Sequence, residues 1–116
     1  MPDESGYAPI DTPIFSDRPA AYFSTLPVRA MAEALNKDGI PARVSYSAGT
    51  YVCNHVMYVG CSLKERYGGM CSGFVHVPFL PEQLSGESES RGRYSMPFSD
   101  MLRGIRIILN ELAKCL

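Results

Sequence analysis

The chain has 116 residues, 46% of them hydrophobic and 20% charged, which fits one soluble globular domain and leaves no room for a second. Eleven basic residues stand against twelve acidic ones, a formal net charge of -1, so the chain lacks the basic footprint that nucleic acid or an anionic membrane surface demands. The opening MPDESGYAPID is acidic and has no apolar run, which excludes a secretory signal.

The longest stretch without Asp, Glu, Lys or Arg covers residues 44–63, but Ser45, Ser47, Gly49, Asn54 and His55 make it too polar to cross a bilayer as a helix. Cys53, Cys61, Cys71 and Cys115 form no CxxC pair and no dense framework, the pattern of reduced thiols in a cytoplasmic setting.

Four prolines in residues 1–20 (Pro2, Pro9, Pro13 and Pro19) argue for an extended surface segment rather than a helix or inner strand. From an N-cap at Ser24 or Thr25, the run LPVRAMAEALNKDG sets Val28, Met31, Ala32 and Leu35 on one helical face, with Gly39 as the stop. Residues 42–47, ARVSYS, read as a strand entering the tight turn Ala48-Gly49-Thr50. A second helix begins near Cys53; Val52, Val56, Val59 and Leu63 recur at helical spacing before the stop at Gly68-Gly69. Residues 73–79, GFVHVPF, predict a second strand closed by Pro78.

Residues 84–95, LSGESESRGRYS, are rich in serine and glycine and predict a flexible loop. A final helix follows from a cap at about Ser99, with Met101, Ile105, Ile108, Leu109 and Leu112 inward and Arg103 and Arg106 outward. There is no internal repeat. Helix, strand, helix, strand, helix is the alternation of a parallel α/β sheet flanked by helices. Two strands are too few to stand alone in water, so the pattern predicts part of a sheet.

Chemistry gathers at SYSAGTYVCNHVMY. A helix N-terminus stabilises a thiolate, and its unpartnered N–H groups can hold the oxyanion of a tetrahedral intermediate; Cys53 falls at that place. His76 lies near the C-terminal end of the second predicted strand, the edge where α/β folds collect their sites. Two blander readings stand beside this: Cys53 as a small core hydrophobe and His76, flanked by Val75 and Val77, as a core histidine. A zinc site from Cys53, His55, Cys61, Cys71 and His76 is a third reading, although no spacing among them matches a ligand knuckle. His55 points elsewhere on the helix from Cys53 and reads as a surface or structural residue.

Taken together, SAGTYVCNHVMY and GFVHVPFLPEQ closely resemble the paired cysteine and histidine signatures of the pyroglutamyl peptidase I (pyrrolidone carboxyl peptidase) family. The likeness extends through PAAYFSTLPVRAMAEAL, GIPARVS and the final helix, so it covers essentially the whole chain, which looks like the C-terminal half of a member. The resemblance implies a partial three-layer α/β/α sandwich and residues 1–116 as the C-terminal part of one domain.

It also implies a cytosolic cysteine peptidase, needing no metal or other cofactor, that removes N-terminal pyroglutamate (5-oxoproline) from peptides. Cys53 would be the nucleophile, His76 the general base and acid, and Tyr51 part of the lactam pocket. Members assemble as oligomers. The family's third catalytic residue, a glutamate that orients the histidine, belongs to the half that precedes residue 1, and none of Asp3, Glu4 or Glu82 matches its motif. The alternative is therefore a truncated, inactive fragment that acts at most as an interaction module.

Overall fold

The computed structural model describes residues 2–84 and 92–115. Among them, three α-helices carry the regular structure: α1, Val28–Lys37; α2, Val52–Arg66; and α3, Phe98–Ala113. A 3-10 turn spans Pro81–Leu84. The predicted flexible loop falls mostly on residues 85–91, outside the described residues.

The first helix begins later than its cap residues suggest, because Ser24 is used upstream. Its hydroxyl accepts the Leu26 N–H at 3.2 Å, and Pro27 becomes the residue before the helix. The predicted stop holds: Gly39 takes φ +78°, a conformation that suits glycine, and the next amide, Ile40, donates back to the Leu35 carbonyl at 2.9 Å. That reversal drops Ile40 into the core with Met31, Leu35, Met96 and Ile108. Burial of each such side chain contributes about 1.5–3 kcal/mol. Gly104 of α3 is the near-contact point, where Leu35 and Ile40 press against a residue without a side chain. Arg103 ties the same two helices at their rim through Asp38 at 3.2 Å.

Asn36 then sets the course of the chain that leaves α1. Its amide nitrogen donates to the Ala42 carbonyl at 2.8 Å while its oxygen accepts the Ala42 N–H at 3.1 Å. Helix α2 is held by a separate cluster: Tyr58 donates to the Pro19 carbonyl at 2.6 Å, with its ring 4.9 Å from Tyr22 and 5.9 Å from Phe15. The proline-rich segment is thus anchored to α2 by aromatic packing. Tyr58→Phe removes a buried hydrogen bond and leaves the Pro19 carbonyl without its partner. The expected cost is about 1 kcal/mol, read as a lower urea midpoint at unchanged slope.

A third junction joins distant parts of the chain. Thr25 N–H donates to the Ser72 carbonyl at 2.8 Å, and Ser72 N–H donates to the Thr25 hydroxyl at 2.9 Å. The next residue must be glycine: a Cβ at Gly73 would lie 2.6 Å from Leu26 Cδ1 and 2.7 Å from Leu26 Cγ, and closer still to Ser24 Oγ. Gly73→Ala is expected to destabilise by about 1–3 kcal/mol through this overpacking, again measured by urea unfolding.

Three expectations are corrected. Residues 42–47 and 73–79 were expected as strands, yet among the described residues no ladder forms, and the single pairing is a parallel bridge between Phe79 and Ser95. A strand exists only against a hydrogen-bonded neighbour, and among the described residues these segments meet none beyond that bridge. In α3, Ile108 is buried and Met101 and Leu112 pack on the core, but Ile105 and Leu109 are exposed. The helix starts at Phe98 with Pro97 before it, and Ser99 lies in its first turn, not at its cap. In α2 the buried residues are Tyr58, Cys61 and Ser62; Val52 and Val56, part of the apolar series seen in the sequence, face outward.

Candidate active site

Residues 45–50 fold into a turn built on serine hydroxyls. Ser45 Oγ donates to the Ser47 carbonyl at 2.9 Å, and Ser47 Oγ accepts the Gly49 N–H at 3.0 Å. Gly49 adopts φ +87°, which turns the chain into α2. Tyr51 is extended, and its carbonyl accepts the first helical bond, from His55 N–H at 3.1 Å. Cys53 is consequently the second residue of α2, half-buried, at a helix start that no side chain caps. The N–H groups of Val52, Cys53 and Asn54 precede the first intrahelical bond and have no carbonyl within the helix to meet. They carry the partial positive charge of the helix end to the Cys53 side chain.

His76 lies on the 73–79 segment, exposed, with its ring 4.9 Å from that of Phe74 at 59°. Residues 75 and 77 place exposed valines beside it. Tyr51 is half-exposed at the mouth of α2, and His55 faces solvent. Neither the Cys53 thiol nor the His76 imidazole makes a hydrogen bond among the described residues. The two sit on separate elements, and the stretch that carries the histidine joins no sheet among the described residues. As for a metal, no three His, Cys, Asp or Glu side chains among the described residues converge closely enough to share an ion.

The structure adds one feature that sequence reasoning passed over. A cleft of about 240 Å³ opens beside α2, lined by Tyr22, Phe23, Thr25, Cys61, Lys64, Glu65 and Ser72. Tyr22 Oη is buried there without a hydrogen-bond partner. Burial first, and the Glu65 carboxylate second, push the Tyr22 phenol above its usual range. No local signal in the sequence marks this cleft, because Tyr22 and Glu65 meet only through the packing of the proline-rich segment on α2. A second cleft, of about 360 Å³, lies between the C-terminal end of α3 and residues 69–71. Cys53, His76 and Tyr51 line neither.

The family model for pyroglutamyl peptidases matches residues 1–114. A pyrrolidone-carboxylate peptidase of Streptococcus pneumoniae is 43% identical over 113 residues, which cover 97% of this chain and 51% of that protein. One from Levilactobacillus brevis is 46% identical over 113 residues, covering 97% and 54%. Among solved structures, a mutant pyrrolidone carboxyl peptidase from the hyperthermophile Pyrococcus furiosus superposes with a TM-score of 0.88 at 36% identity, over 100% of this chain and 57% of that one. The pyroglutamyl peptidase I of Bacillus amyloliquefaciens gives 0.83 at 34% identity, over 97% and 52%. The chain spans about half the length of the curated relatives it matches.

Proposed function

Because the chain belongs to the pyroglutamyl peptidase family, we propose that it supplies the nucleophile and the proton-transfer residue of a cysteine peptidase that removes N-terminal pyroglutamate from peptides. The observation that carries this reading is the position of Cys53, half-buried at the second residue of an uncapped helix, behind a turn that leaves three backbone donors free.

In the reaction His76 accepts the Cys53 proton and Sγ attacks the carbonyl carbon of the pyroglutamyl residue. The oxyanion that forms meets N–H groups at the start of α2, donors already oriented before the reaction begins. The protonated His76 then gives its proton to the departing amine, the C–N bond breaks, and the acyl group remains as a thioester on Cys53. Water adds to the thioester, with His76 taking its proton, and the tetrahedral intermediate collapses to 5-oxoproline and free thiolate.

Tyr51, two residues before the nucleophile, offers a flat aromatic face to the flat, neutral lactam ring. His76 needs a fixed neighbour for this chemistry, so the 73–79 segment must be ordered before turnover begins. The same need favours a second reading of the isolated chain as an association module, on the observation that this segment joins no sheet among the described residues. The test is release of a chromophore from a pyroglutamyl anilide, in a cytosol-like reducing buffer. Turnover that stops on alkylation of Cys53 supports the peptidase; turnover unaffected by it overturns the mechanism.

A further inference from the structure

Two of the four cysteines share a cleft that lies apart from the candidate active site. The void of about 360 Å³ at the C-terminal end of α3 is lined by Leu26, Gly69, Met70, Cys71, Leu112 and Cys115. All four thiols are free; Cys71 and Cys115 are exposed, whereas Cys61 is buried and Cys53 half-buried. An oxidant in solution therefore reaches the two thiols of this cleft more readily than the other two.

Fixed parts of the fold carry both walls. Ser72, the residue after Cys71, is tied to Thr25 by the two bonds of 2.8 Å and 2.9 Å described above. Cys115 N–H donates to the Leu112 carbonyl at 3.0 Å, and Leu112 packs on the core, as does Leu26. Packing thus holds together two cysteines far apart in sequence. Freedom to close the gap lies at Gly68 and Gly69. Gly69 takes φ +80°, and a Cβ at either glycine would meet nothing within 4 Å, so the chain before Cys71 has open space to swing through. A void of 360 Å³ is about 9 Å across, and a disulfide joins Cα atoms about 4.4–6.8 Å apart, so a shift of a few ångström brings the pair into bonding geometry.

We propose that Cys71 and Cys115 form a reversible disulfide across this cleft, made by exchange with a low-molecular-weight disulfide of the oxidised glutathione class. One thiolate of the pair attacks a sulfur of that disulfide and expels a small thiolate; the second cysteine then attacks the mixed disulfide and expels the other. The two cysteines lose two electrons and two protons, and the small disulfide gains both as two thiols. The bond closes a loop of roughly 45 residues, which restricts the unfolded chain more than the folded one, and it fastens the start of the segment bearing His76 to the end of α3. The inference rests on the cleft and its thiols and is independent of the peptidase reading.

The experiment incubates the 116-residue chain with oxidised glutathione, quenches with an alkylating reagent and maps the peptides by mass. Alkylatable thiols are expected to fall from four to two, with a monomeric product that carries a Cys71–Cys115 linked peptide. The urea midpoint is expected to rise by about 1 M or more and to return to the starting value with dithiothreitol. Cys71→Ser and Cys115→Ser are each expected to keep the helical circular dichroism and the reduced-state midpoint while losing the oxidative shift. A disulfide between other cysteines, a disulfide-linked dimer, glutathione adducts that persist on both residues, or a linked product with an unchanged midpoint overturns the proposal.

Discussion

Cys53→Ser, in the assembly that turns over a pyroglutamyl anilide, is expected to lower kcat by on the order of 10⁴–10⁶, with His76→Ala falling in the same range. The size of the loss follows from what the thiol does. In the proposed mechanism it forms the bond that splits one difficult hydrolysis into two easier steps, and the donors at the start of α2 would stabilise only an oxyanion generated by attack at that point. A serine keeps the shape but offers a far weaker nucleophile at neutral pH. Cys71 and Cys115, both exposed and distant in sequence from the helix start, serve as controls, and their serine variants are expected to stay within threefold of the parent. Combining Cys53→Ser with His76→Ala is expected to cost little more than either alone, since residues that act as one unit are not additive. Retention of a tenth or more of the activity by Cys53→Ser removes the nucleophile from the mechanism.

The helix ends and the turn before Cys53 were legible in the sequence, whereas the pairing of its strand-like segments was not. Gly39 and the Gly68-Gly69 pair mark real helix ends because a positive φ is a local property of the chain, and Gly39 and Gly69 both adopt one. The turn before Cys53 was legible for the same reason, through Ala48-Gly49-Thr50. Strands are not local. Residues 42–47 and 73–79 have the composition of strands, but among the described residues they meet only the single bridge of Phe79 to Ser95, so the composition predicts a ladder that is not seen there.

The apolar series on α2 and α3 mislead in a related way. Val52 and Val56 on α2, and Ile105 and Leu109 on α3, fit the helical spacing of an apolar face but are exposed among the described residues. Packing within 116 residues selects Tyr58, Cys61 and Ser62 on α2 and Ile108 on α3, and leaves those other faces open. The starts of α1 and α3 at prolines rather than serines have a plainer cause. Ser24 is engaged with Leu26 and Ser72, and Pro97 supplies the first carbonyl of α3, accepting Met101 N–H at 3.1 Å.

Ile108→Ala in the free chain is expected to destabilise it by about 2–5 kcal/mol, enough to abolish cooperative unfolding in a domain with so small a core. Ile108 is one of five buried residues joining α1 to α3, and a cavity there cannot close, because Gly104 already brings the helices to contact distance. Leu109, the next residue, is 57% exposed, and its alanine variant is expected to change stability by less than about 0.5 kcal/mol. One residue turns an α-helix by about 100°, so the two substitutions probe different faces of the same rod. Urea unfolding of both variants therefore measures the rotation of α3 about its own axis. A Leu109→Ala loss larger than that of Ile108→Ala means that the free chain packs α3 by its other face, and the core of Met31, Leu35, Ile40, Met96 and Ile108 then fails as an account of what holds it together.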